Sequence, residues 1–306
     1  MITVLAGGTG SVKLVRGLAR LVRNMTVISN VGDNIWLYGL YVCPDIDTII
    51  YGLAGLLDER RGWGVKGDSF ECLAQLRKLG APAWFSLGDR DIATHLLRTS
   101  MIKAGKSLSD ITGLMREQYS IAAKIIPATD SEVTTRVMTS SGEMHLQEFW
   151  VKHKGTPKVI GVSYNGAEKA AACRDAIDAI RHSDAVIVAP ANPVSSIGPI
   201  IALDDLRKEL VQIRAKVMAI SPLIGKKAVS GPAVKYMKAL GLESSPVGVA
   251  QYYRDFVGTF LISKNDHRLA PGIEALDMEV YKTNITMKTR QDELRLARHI
   301  LSKIKK

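Results

Sequence analysis

The chain has little cysteine: three in 306 residues, Cys43, Cys72 and Cys173, far apart and in no metal-ligand spacing. This excludes a disulfide scaffold and a zinc site, and it predicts reduced thiols in a cytoplasmic protein. Long apolar runs are missing as well. None approaches the roughly eighteen residues of a bilayer-spanning helix, so no membrane partner is expected. No basic segment followed by an apolar one precedes the first strand pattern, so no secretory signal is expected. Aromatic residues are only 6%, and no arginine-rich block carries interleaved aromatics, so nucleic acid is not an expected partner despite a net charge of +11. The charge fits a generally basic surface or a field that draws phosphate compounds.

What is present is a globular composition, 46% hydrophobic and 23% charged, in a length suited to one large α/β domain. Short runs rich in Val, Ile or Leu at residues 2–6, 26–30, 158–162, 185–189, 216–221 and 259–262 predict strands. Helical spacing lies between several of them. Val12, Val15, Leu18 and Val22 share one face, as do Ala172, Ala176, Ala179 and Ile180. Alternating strand and helix imply right-handed crossovers and a mostly parallel sheet covered on both faces. The expected fold is an α/β, Rossmann-like three-layer sandwich forming a single domain over residues 1–306. Residues 60–155 read differently, with helix patterns at 69–79 and 92–104 and a hairpin over 134–150 turning on Ser141 and Gly142. They are expected to form an inserted, mainly helical subdomain. A terminal helix is expected from Gln291 to Lys306, where Leu294, Ala297, Ile300, Leu301 and Ile304 form one stripe.

Ligands of such a sheet gather at the carboxyl ends of its strands, where loops converge. The first loop, Gly7 to Ser11, lets backbone N–H groups approach an anion at a helix N-terminus. It fits neither common phosphate-loop pattern. Lys13 stands where the third glycine of the dinucleotide fingerprint belongs, which disfavours a nicotinamide site and leaves a tight strand-to-helix turn as the plain alternative. The second loop region, Ser29 to Gly55, places Asp33, Asp45 and Asp47 in an otherwise apolar stretch. Near Pro44, at a helix start, such carboxylates can act as caps; they also suit magnesium beside a phosphate, with Asp45 and Asp47 the expected ligands. The third, Leu87 to Leu97, packs Asp89, Arg90 and Asp91 before a helix. Arg90 suits a phosphate clamp and either Asp89 or Asp91 a metal ligand or general base, with Asp89 and Arg90 the expected catalytic residues, or else the set is a solvated cap. His95 reads as a packed or surface residue rather than a catalyst. The fourth, Ala189 to Leu203, offers Asn192, Ser195, Ser196 and Gly198 to a phosphate or nucleobase, and a fifth, Ser221 to Ala233, adds Lys226, Lys227 and Ser230 at the rim. Together these loops predict transfer of a phosphate-containing group with a divalent metal.

Taken in order, GGTG at Gly7 to Gly10, NIWLYGLYVCPDIDTIIYGLAG at Asn34 to Gly55, LGDRDIATH at Leu87 to His95, NPVSSIGPII at Asn192 to Ile201, SPLIGKKAVSGPA at Ser221 to Ala233 and GVAQYYRDF at Gly248 to Phe256 resemble the 2-phospho-L-lactate transferase family, CofD. The resemblance implies that the terminal hydroxyl of the deazaflavin precursor Fo attacks the lactyl-bearing phosphate of lactyl diphosphoguanosine. GMP leaves, and the core of coenzyme F-420 results. Contacts to the guanosine diphosphate portion are implied for Gly7, Gly8, Thr9, Gly10, Lys13, Asn192, Ser195, Ser196 and Gly198. Asp47 and Ser86 fall where the family contacts Fo, and Asp47 is placed to orient the hydroxyl, take its proton or hold magnesium. A homodimer is the family-level expectation. The alternative is a nucleotide-sugar-binding regulatory protein of a related non-enzymatic group, against which the PDIDT and GDRD stretches speak, since a binder needs no aspartate cluster beside its phosphate site. On this reading Asp47→Asn lowers turnover in a protein that stays folded.

Overall fold

The computed structural model describes residues 1–228 and 233–304, and its centre is a sheet of seven parallel strands. From edge to edge the strands are Glu279–Thr283, Thr259–Ser263, Val217–Ile220, Ala185–Val188, Ile2–Ala6, Met25–Ser29 and Lys124–Pro127. The chain therefore starts in the middle, adds two strands on one side, and then crosses over to build the other. The reversal between Ile2–Ala6 and Ala185–Val188 leaves a crevice at their carboxyl ends, the place where doubly wound sheets hold ligands. Ile2–Ala6, Ala185–Val188 and Val217–Ile220 bury every residue. That is why they appear in the sequence as unbroken apolar runs rather than alternating ones. Each buried Val, Leu or Ile contributes about 1.5–3 kcal/mol.

Helix Gly8–Ala19 lies against helices Pro44–Leu53 and Arg290–Lys303. The second contact is close because Gly17 has no side chain: a Cβ there would stand 2.5 Å from the Glu293 carbonyl oxygen. Arg16, one residue earlier, pairs with the buried Glu293 carboxylate. The terminal helix begins at Arg290 behind a Thr289 and Asp292 capping box, which satisfies two orphan N–H groups at once.

The segment 60–155 contributes both helices and one strand of the main sheet. Helices Glu71–Lys78, Asp89–Lys103 and Leu108–Gln118 occupy its first half, but Lys124–Pro127 then pairs with Met25–Ser29 as an edge strand of the main sheet. The expected hairpin forms from Thr134–Thr139 and Gly142–His145. Val159–Asn165 joins Thr134–Thr139 antiparallel, so this apolar run belongs to a small three-stranded sheet and not to the parallel one. Both edge strands that the sequence pattern misses, KIIP and EVYKT, are short or polar on one face, as sheet edges are. Ser230 lies outside the described residues, as do the last two residues of the expected terminal helix. Among the described residues no helix is long and apolar enough to cross a membrane.

Candidate functional site

A cleft of about 290 Å³ opens at the crevice and is lined by Gly8 and Thr9 from the glycine loop, Asp45 and Asp47 from the Pro44–Leu53 helix, and Asp91 and His95 from the Asp89–Lys103 helix. Ser86, Phe85, Trp63 and Trp150 form part of its wall. The glycine loop is shaped by its neighbours. Gly7 caps the helix without a side chain, its N–H donating to Ser11 Oγ at 2.9 Å. A Cβ at Gly7 would meet Ser196 Cβ at 2.6 Å and Asp45 Oδ2 at 2.7 Å, and Gly8 has φ of +40° with Asp45 Oδ1 2.5 Å from where its Cβ would be. Both positions therefore require glycine, for space at the first and for space and backbone at the second.

Asp45 belongs to a buried acidic pair. Asn30, directly after Met25–Ser29, donates its side-chain amide to Asp33 Oδ1 at 3.0 Å, Asp45 Oδ2 at 2.9 Å and the Ser195 carbonyl at 3.2 Å. Asn30 is oriented in turn by the Gly32 N–H on its Oδ1 at 2.8 Å. No cation pairs with either acid among the described residues. Burial, reinforced by Asp45 nearby, holds the Asp33 carboxyl well above its usual range, and burial pushes Asp45 up to about 6. Two enclosed carboxylates sharing one amide donor have oxygen chemistry compatible with a hard cation.

Asp47, two residues along the same helix, has the opposite environment. Arg98, fully buried, clamps it with both terminal nitrogens, Nη1 to Oδ2 at 3.1 Å and Nη2 to Oδ1. His95 Nδ1 lies 3.2 Å from Arg98 Nη1 and 3.7 Å from Asp47 Oδ2, while His95 Nε2 lies 3.5 Å from Asp91 Oδ1. Tyr51 donates to Asp91 at 2.8 Å. Burial would raise the Asp91 carboxyl, but His95, Tyr51 and Arg98 outweigh it and bring it below the ordinary value. The clamp fixes the orientation of the Asp47 carboxylate. Of the expected ligand pair, Asp47 is engaged by Arg98 and has a ligand atom within 4.8 Å of those of Asp91 and His95, whereas Asp45 has Asp33 beside it, both bonded to the Asn30 amide.

Several other expected residues do different work. Asp89 accepts the backbone N–H groups of Glu71 and Cys72 at 3.1 and 3.0 Å, so it caps the Glu71–Lys78 helix, and Arg90 is exposed and outside the cleft lining. Neither meets the reacting groups. Lys13 reaches the Met287 carbonyl at 3.1 Å, away from the loop it follows. Asn192 uses its Oδ1 on the N–H groups of Val194 and Ser195, though its Nδ2 stays enclosed without a partner. Ser195 reaches the site through its carbonyl, and Ser196 abuts Gly7. Gly198 is glycine because Tyr164, whose hydroxyl bonds the Val194 carbonyl at 2.7 Å, fills the space of a side chain. Thr9 turns its hydroxyl to the Gly62 carbonyl at 2.8 Å, and Gly10 follows in the helix's first turn.

Sequence reading missed Asn30, Arg98 and the two tryptophans at the mouth, and it set His95 aside. One signal was available for two of them. Asp91, His95 and Arg98 are spaced four and three apart, a polar stripe on one helix face, and such a stripe is buried only when it serves a site. Nothing local marks Asn30 or Trp150.

A doubly wound sheet with a glycine loop, Asp45 and a clamped Asp47 lining one cleft at its switch point has the features of enzymes that act on phosphorylated substrates. Comparison narrows this. Residues 2–299 match the family described as 2-phospho-L-lactate transferase CofD, and the chain belongs to that family of transferases. It is 41% identical to the 2-phospho-L-lactate transferase of Methanocaldococcus jannaschii over 98% of this chain and 97% of that one. It is also 40% identical to the protein of the same name from Methanopyrus kandleri, over 98% and 96%. A solved member of the UPF0052 family from Bacillus halodurans shares the fold, with a TM-score of 0.68 at 15% identity over 98% of both chains.

Proposed function

We propose that the protein transfers the phospholactyl group of lactyl-2-diphospho-5'-guanosine to the terminal hydroxyl of Fo, releasing GMP and forming coenzyme F-420-0. The new bond joins the Fo oxygen to the lactyl-bearing phosphorus. The bond that breaks is the bridging P–O bond to GMP, and the hydroxyl proton leaves to a base. One observation carries the reading: Gly8, Asp45 and Asp47 line a single cleft although they arise from different segments.

In this reading the N–H groups at the start of the Gly8–Ala19 helix hold the donor's diphosphate, favoured by the helix dipole. The Asn192 to Gly198 loop packs beside them and walls the guanosine side. Asp33 and Asp45 have the hard oxygens, the burial and the missing counter-charge that fit magnesium. Magnesium bound there supplies charge neutralisation on the diphosphate. Asp47, held by Arg98, fixes the acceptor hydroxyl for in-line attack and accepts its hydrogen bond, so positioning provides most of the acceleration. Trp63, Phe85 and Trp150 offer flat apolar surface to the acceptor's ring. The regulatory alternative needs donor binding without turnover, and a cleft lined by Asp45, Asp47 and Asp91 is costly for a protein that only binds a diphosphate. Incubation with the donor, Fo and magnesium, followed by GMP measurement, tests the reading: GMP appears one for one with product, and donor binding without GMP favours the regulator.

A further inference from the structure

A second cavity, of about 620 Å³, lies at the amino end of the sheet, opposite the acid-lined cleft. It opens beside the segments that lead into Met25–Ser29 and Lys124–Pro127. Arg16, Arg20, Arg23 and Arg290 line it, no carboxylate does, and Leu53, Val22 and Ile121 make its wall partly apolar. Two of the arginines are answered from behind: Glu293 and Glu59 each pair with both Arg16 and Arg290. Arg20 and Arg23 are exposed and have no ion-pair or hydrogen-bond partner among the described residues. The cavity therefore carries two uncompensated guanidinium groups.

We propose that this cavity is a binding site for a small phosphorylated compound, engaged by Arg20 and Arg23 and separate from the transfer cleft. Two surplus positive charges match a phosphate or diphosphate dianion, and the guanidinium fork suits phosphate oxygens better than a lysine would. The apolar wall accommodates a ring or base attached to the phosphate. A cation at Arg20, which caps the Gly8–Ala19 helix, is also weakly favoured by the helix C-terminus. That explains one arginine and not the second. The walls tie the cavity to the rest of the molecule. Helix Gly8–Ala19 runs from the glycine loop to Arg20, and helix Pro44–Leu53 runs from Asp45 and Asp47 to Leu53, so the same two helices bound both sites.

The test is calorimetric titration of the full chain with sodium pyrophosphate at low salt, beside the double variant Arg20→Ser/Arg23→Ser. The expected result is a binding event that the double variant weakens about tenfold or more, with an unchanged thermal midpoint and unchanged GMP release in the absence of added pyrophosphate. Identical isotherms for the two proteins overturn the proposal, because all binding then belongs to the glycine loop. Binding of heparin but not of pyrophosphate also overturns it, since a long polyanion then reads a basic surface rather than a built cavity.

Discussion

Asp45 and Asp47 stand two residues apart on one helix, both buried and both lining one cleft, yet they have opposite partners. Two residues of helix turn the side chain through about 200°, which sends the two carboxylates to different neighbours. Asp45 faces another acid, Asp33, and a neutral amide. Asp47 faces a guanidinium. The first arrangement has no counter-charge among the described residues, which suits the proposed cation; the second is complete in itself and fixed by the buried guanidinium. One helical turn thus supplies two chemistries from one residue type, and the partner decides which.

The largest effect is expected from breaking the complete pair. Asp47→Asn leaves Arg98 as a buried, half-answered charge and should cost about 3–5 kcal/mol of stability by denaturant unfolding, with turnover lowered about 10²–10⁴-fold. The expectation that the variant stays folded then depends on the stability that remains after this loss. Replacing both partners, Asp47→Leu with Arg98→Met, should recover part of the stability and none of the activity, read as a coupling energy in a double-mutant cycle.

Breaking the incomplete pair has the opposite sign for stability. Because the Asp45 carboxyl is pushed up to about 6, the folded state keeps a proton that the unfolded chain has lost. Its stabilising contribution is present below the ordinary carboxylate value and disappears as pH rises through about 6. Asp45→Asn should therefore stabilise the metal-free protein at pH 7.5 by about 3 kcal/mol at most, seen as a higher thermal midpoint. Turnover should fall about 10²–10³-fold. Equal midpoints at pH 5 and pH 7.5 for both proteins would remove the buried charge from the explanation.

A smaller effect is expected at the glycine loop. Gly8→Ala forces a side chain onto φ of +40° and toward Asp45 Oδ1, which should cost about 1–3 kcal/mol and weaken donor binding in calorimetry. Smallest of all is the third aspartate loop. Asp89→Ala removes a helix cap and should cost about 1 kcal/mol, and Arg90→Ala should change little, both with turnover within about twofold of the parent in the GMP assay.

The sheet's centre was legible because its strands are buried on both faces and carry solid apolar runs such as ITVLA and AVIV. Its edges were not, because KIIP is only four residues long and begins with an exposed lysine, and EVYKT is largely exposed or half-buried and loses that signature. The acids of the cleft were visible as polar residues in apolar surroundings. Their division of labour was not, since it depends on Arg98, 51 positions from Asp47, and on Asn30, whose value lies entirely in where the strand before it ends. Asp89 and Arg90 were ambiguous for the same reason: a dense charged turn looks alike whether it faces a cleft or caps a neighbouring helix, here the preceding one.

The most direct measurement is GMP formation from lactyl-2-diphospho-5'-guanosine by the purified protein with Fo, before and after chelation of divalent metal and again after magnesium is restored. The expected outcome is stoichiometric GMP that needs both Fo and magnesium and returns on restoration. GMP release that proceeds undiminished in chelator, or no release under any of these conditions, would contradict a phosphoryl transfer built on the Asp33 and Asp45 pair.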